Sequence, residues 1–198
     1  MNTQEIRSGF IDAAIKIGAN KGLEAINRRE LVSVSKINQY YLYQEFNDIY
    51  DIQEQAFVMA NKTFVTIAMR AVSIFDDFEF NYEKEIQFFN ILWKDIKTNA
   101  EMFEFLLRYY YNYVFPKSYA NEECEKDLTL LLNKIKPLFK KNVNLIRIIL
   151  HLLEDVVKYA VLIRNQEYPD NKETEKEIFR CIFTMLAPHL IVKPFVEI

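Results

Sequence analysis

The chain has 198 residues, 51% of them hydrophobic and 15% aromatic, with a formal net charge of −3. That composition excludes a disordered or purely electrostatic tail protein and leaves room for one sizeable core, or for a small domain attached to a larger one. Three glycines, Gly9, Gly18 and Gly22, and five prolines are too few turn residues for a β-rich protein, so an all-α fold is expected.

Residues 5–20 place Ile6, Phe10, Ala13, Ala14 and Ile17 on one helical face, and Gly22 follows where a left-handed stop costs little. Two short apolar-spaced pieces, 28–34 and 38–45, are separated only by Ser35, Lys36 and Ile37, a pattern that predicts helix-turn-helix. Asn47-Asp48 predicts the cap of a long helix that runs through Ile52, Ala56, Ala60 and Phe64 to about Phe75. After a link over 76–81, helices are predicted over 82–98 and 100–114 with Pro116 as a stop, then over 121–136 before Pro137, 143–165 and 171–187. The total is about nine helices, with no internal repeat.

Cys124 and Cys181 are too few for a disulfide framework, and His151 and His189 fall on different predicted helices. No nucleophile-base spacing, Gly-rich phosphate loop or paired-carboxylate signature stands out, so no metal, no cofactor and no enzymatic activity are expected. The N-terminus lacks a basic segment followed by an apolar run, and Arg147 and His151 interrupt the stretch 145–153. A cytoplasmic protein without a membrane partner is the expectation.

The stretch from Phe10 to Ile52 reads FIDAAIKIGANKGLEAINRRELVSVSKINQYYLYQEFNDIYDI. Its Ala13-Ala14, Gly22, Leu31, Ile37, Leu42, Tyr43 and Phe46 fall without a gap on the pattern of the TetR-family helix-turn-helix domain, which this stretch resembles. The resemblance implies a DNA-binding domain over 1–52 and an effector-binding and dimerisation domain over 53–198, the latter matched by length and helix count. It implies a homodimer on a double-stranded DNA operator, released by a small-molecule effector. The second helix of the pair would lie in the major groove with Gln39, Tyr40 and Tyr41 on base edges, since Gln pairs with adenine and Tyr can touch a thymine methyl. Asn27, Arg28, Arg29 and Tyr43 are expected near phosphates, Lys36 extends the positive strip, and Asn38 is placed to cap the reading helix.

The body carries no such motif. Aromatics crowd from Phe75 to Phe115, read as a pocket for an apolar or flat aromatic effector with Phe88, Trp93, Phe103, Tyr110 and Phe139 in its wall; for any single one of them ordinary core packing is the weightier reading. The apolar stripes of 143–165 and 178–186 fit the family's two-fold interface, with Ile149, Leu153, Val156, Phe179, Ile182 and Met185 as its members and the remainder facing the chain's own core.

The head departs from the family in two places. Ser35-Lys36 stands where Ala-Gly is usual, which puts a residue other than glycine at positive φ, and Ile49 after Asp48 stands where a Lys usually opens the fourth helix. Residues 1–53 hold Arg7, Lys16, Lys21, Arg28, Arg29 and Lys36 against Glu5, Asp12, Glu24, Glu30, Glu45, Asp48 and Asp51. The alternative reading is a protein of this fold that has lost operator binding and acts through ligand or protein partners.

Overall fold

The computed structural model describes residues 2–112, 119–192 and 194, and no side chain within 119–123. Tyr113, Phe115 and Pro116, part of the expected aromatic run and its stop, lie outside the described residues. Among those residues the chain forms nine α-helices: α1 (Thr3–Lys21), α2 (Arg28–Ser35), α3 (Gln39–Glu45), α4 (Ile49–Val72), α5 (Tyr82–Thr98), α6 (Ala100–Tyr111), α7 (Tyr119–Ile135), α8 (Leu145–Arg164) and α9 (Lys172–Leu186). The fold is all-α, as the composition implies.

Six of the nine helices begin on asparagines. Asn2 accepts from the Glu5 backbone N–H at 2.8 Å while the Glu5 carboxylate accepts from the Asn2 N–H at 3.0 Å, which satisfies two donors that the first turn leaves unpaired. Asn27, Asn38, Asn81, Asn144 and Asn171 cap α2, α3, α5, α8 and α9 through the same side-chain oxygen. Asp48 caps α4, accepting from the Asp51 N–H at 2.8 Å. Helix starts are thus set by short polar side chains, which is how a chain with three glycines punctuates itself. Gly22 ends α1 at φ 97° and ψ 158°, an extended mirror-image conformation that only glycine adopts cheaply, rather than the left-handed helical stop that was expected.

Packing divides the chain into two compact units, 1–63 with 101–125 and 64–100 with 126–198. In the first, α1 is packed against α2 and α3, and Phe10, Ala13, Ala14, Leu31, Ile37, Leu42 and Phe46 are all buried. Arg7 ties the end of α3 down: its guanidinium donates to the Glu45 carbonyl at 2.6 Å and to Gln55 Oε1 at 2.7 Å, and lies 4.9 Å from the Phe46 ring centre. Gly18 lets α6 approach, because a Cβ there would stand 2.5 Å from Phe105 Cδ2. Phe57 stacks on Tyr109 at 4.0 Å, and the Tyr110 hydroxyl donates to buried Asn61. These contacts place α6 in the same unit as the helix-turn-helix.

In the second unit α8 packs against α5 and α9, with Leu153, Val156, Val157 and Ala160 buried along one face of α8. Phe88 meets Phe183 edge-on at 6.0 Å and Phe89 meets Phe179 at 5.6 Å. One end is closed by a bridge between Phe139 and Leu190, flanked by Lys140 N–H to the His189 carbonyl at 2.9 Å and Ile191 N–H to the Leu138 carbonyl at 3.0 Å.

The run Ile49–Phe75 is long and apolar enough to cross a bilayer, but half of its most apolar window is buried inside the protein. The interior accounts for much of that apolarity.

Candidate nucleic-acid interface and apolar cavity

The turn between α2 and α3 is built from Ser35, Lys36 and Ile37. Lys36 sits at φ 60° and ψ 16°, in the left-handed region expected from its place in the turn. The Ser35 hydroxyl accepts from the Ile37 N–H at 3.2 Å, and the buried Ile37 side chain anchors the reversal. Asn38 then starts α3, accepting from the Tyr40 N–H at 2.9 Å.

This geometry turns one set of residues outward. Asn27, Arg28, Arg29, Lys36, Asn38, Gln39, Tyr40, Tyr41 and Tyr43 are all exposed. Asn27, Arg28, Arg29, Val32 and Gln39 line one open cleft where the N-termini of α2 and α3 meet, so the structure brings the expected phosphate and base contacts together. Tyr40 is 63% and Tyr43 49% exposed, a large aromatic area to leave in water on a small helix.

Three contacts hold these rings in place. The Arg28 guanidinium lies 4.5 Å from the Tyr43 ring centre, a cation–π pairing of roughly 0.5–1 kcal/mol at an exposed site. The Gln44 side-chain amide donates to the Tyr40 hydroxyl at 2.8 Å, and the Tyr40 and Tyr41 rings meet edge to face at 5.6 Å. Gln44 escaped the sequence reading, although its spacing of four residues from Tyr40 on a helix is the signal that would find it. Asp48 is the cap of α4, which supplies a structural reason for an acidic residue at that departure from the family pattern.

The second unit holds a partly open void of about 80 Å³ whose twenty lining residues are all Ala, Val, Leu, Ile or Phe. Phe88 and Phe139 are among them; Trp93, Phe103 and Tyr110 are not. Trp93 is buried with its indole N–H donating to Glu175 at 3.2 Å. Phe103 is fully buried. Tyr110 is spent on Asn61. Burial drives the phenols of Tyr109 and Tyr110 well above the ordinary value, that of Tyr109 to about 12. These three positions serve packing because the aromatic run 75–111 is divided between two cores.

The cavity wall is instead mostly aliphatic. Ile149, Leu153 and Val156, expected at a two-fold interface, line it from α8. Of the other expected interface residues Ile182 is buried within the chain, while Phe179 and Met185 are half-buried. Both a cavity and an interface call for the same apolar stripe, so spacing alone could not separate them. Among the described residues no group of three or more His, Cys, Asp or Glu gathers at metal-binding range.

A helix-turn-helix carried by a three-helix head, with a helical body that holds an apolar cavity, defines an architecture shared with one class of solved proteins. The fold is that of the TetR family of transcription regulators. A TetR-family regulator from Marinobacter aquaeolei superimposes with a TM-score of 0.70 at 13% identity, over 92% of this chain and 95% of that one. A second from Shewanella gives 0.67 at 10% identity over 94% and 99%, and the fatty acid degradation regulator FadR of Bacillus halodurans gives 0.53 at 13% identity over 88% and 96%. No family profile and no curated protein sequence matches the chain.

Proposed function

We propose that the chain is a DNA-binding transcriptional regulator, a repressor that acts as a homodimer and leaves its operator when a small apolar effector fills the body cavity. The observation that carries this reading is the exposed set Asn27, Arg28, Arg29, Gln39, Tyr40, Tyr41 and Tyr43 on a helix-turn-helix, with two of its aromatic rings already oriented. Proteins of the same fold are transcription regulators, and one neighbour regulates fatty acid degradation.

The cavity supports an uncharged effector. No wall residue carries a hydrogen-bonding or charged side chain, so a buried ion or an unpaired polar group would lose its hydration without compensation. The effector shifts the equilibrium only by binding the DNA-free conformation more tightly, and DNA weakens effector binding by the same factor.

A mobility-shift assay with the region upstream of the chain's own gene tests the DNA claim. Tyr43→Ala and Arg29→Ala are expected to weaken binding to a preferred site. Binding that shows no preferred site and vanishes with salt on every sequence would overturn it. The second reading, a body that has kept the fold but not operator binding, is favoured by the near balance of charge in the head and would be supported by that same outcome.

A further inference from the structure

The cavity has one wall residue that belongs to neither a helix, a 3₁₀ turn nor a bridge. Phe80 comes from the connection 76–81 between α4 and α5, where it is half-buried and stacked on Phe75 with ring centres 4.5 Å apart. We propose that this connection is the movable part of the cavity wall, the door by which the void widens to admit an uncharged ligand, that Phe80 is its leaf, and that acidic residues on the loop latch it in place. The inference rests on the cavity being a ligand site.

Three features of the loop carry it. Phe78 takes φ 59° with its ring 55% exposed, a left-handed conformation that a bulky side chain adopts only under constraint. That reversal turns Phe80 inward while Phe78 points out. Two turn hydrogen bonds, Phe78 N–H to the Phe75 carbonyl at 2.9 Å and Glu79 N–H to Asp77 Oδ1 at 3.1 Å, are joined by ion pairs that tie the loop to its neighbours: Lys84 pairs with Asp77 and, at 3.6 Å, with Glu79, while Lys134 of α7 pairs with Asp76 at 2.7 Å. Asp77, Glu79 and Asp76 are exposed, and exposed ion pairs are individually weak and screened by salt. The latch is therefore reversible, whereas parting the packed helices would expose the core. A void of about 80 Å³ is smaller than the roughly 150 Å³ cavity that admits benzene, so a ligand of that size enters or leaves only when the wall moves transiently, and the loop is the part of the wall with the least secondary structure to break.

Stopped-flow fluorescence with the neutral probe N-phenylnaphthylamine tests the door on the full chain. In the Asp76→Asn/Asp77→Asn variant, whose cavity wall is untouched, association and release are expected to quicken together by roughly three- to tenfold with Kd held within about twofold. Wild type in about 0.5 M NaCl moves the same way, and the variant does not respond to that salt. Phe80→Ala also quickens both rates. Wild-type rates in both variants, with the probe bound, overturn the door and leave the cavity reading standing; absence of probe binding to wild type overturns both. A change confined to release in the Asp variant would place the loop in ligand holding rather than access, and overturns the proposal.

Discussion

Lys36 holds φ 60° in the turn, and a left-handed residue with a Cβ costs about 1–2 kcal/mol, part of which glycine's unfolded-state entropy would offset. Lys36→Gly is therefore expected to stabilise the fold by about 0.5–1 kcal/mol, read as a higher denaturant midpoint. The same change removes one of the few cations beside α3, so DNA affinity falls as stability rises. An unchanged midpoint would mean that the turn stores no strain. Tyr109 and Tyr110 make a second case. Burial, with Glu54 and Cys124 adding to it at Tyr109 and Cys124 at Tyr110, holds both phenols protonated above their ordinary range. A phenol whose folded pKa is raised contributes stability that is complete below the unfolded value near pH 10 and is lost as pH climbs from there through the folded value. Phenolate absorbance for these two residues is expected to appear only with unfolding, and a reversible phenolate signal from both in the folded protein near pH 10 would contradict it.

At the scale of elements, Gly18 and Asp48 show how single positions set helix packing. A methyl group at Gly18 meets Phe105, which has no exposed surface to retreat into. Gly18→Ala is expected to cost about 1–3 kcal/mol through overpacking, despite the better helix propensity of alanine; thermal denaturation measures it, and a rise in Tm would show that α6 yields. Asp48 caps α4, so Asp48→Ala should cost about 1 kcal/mol. Asp48→Asn keeps an accepting oxygen and removes a charge from the head, and it is expected to leave stability nearly unchanged while tightening DNA binding. Equal DNA affinity in Asp48→Asn and wild type would place Asp48 away from the DNA. The helix caps other than Asn38 and Asp48 went unread, because an asparagine is equally at home in a turn and only the position of its oxygen over the next turn makes it a cap.

For the whole molecule, the balance of charge sets the character of binding. Each head offers Arg28, Arg29 and Lys36 beside α3, so a dimer of the proposed kind neutralises at most six phosphates with them. The logarithm of affinity should fall against the logarithm of salt with a slope no steeper than about five, and a markedly steeper slope would mean that other cations reach the backbone. Specific affinity then depends on the oriented tyrosines and Gln39 more than on counterion release.

The helix-turn-helix core was legible in the sequence because its information is local: Ala13-Ala14, Leu31, Ile37, Leu42 and Phe46 sit within one short stretch, and all are buried. Fold class was legible for the same reason, since helical periodicity is written in neighbours three and four apart. The cavity was not. Which aromatics of 75–111 face a void, and which stripe of α8 faces inward, depends on partners far along the chain: Phe88 meets Phe183, Phe57 meets Tyr109, and Ile149 shares a wall with Phe64. A side chain's residue type makes it apolar, but only the packed tertiary structure decides whether it fills space or borders it.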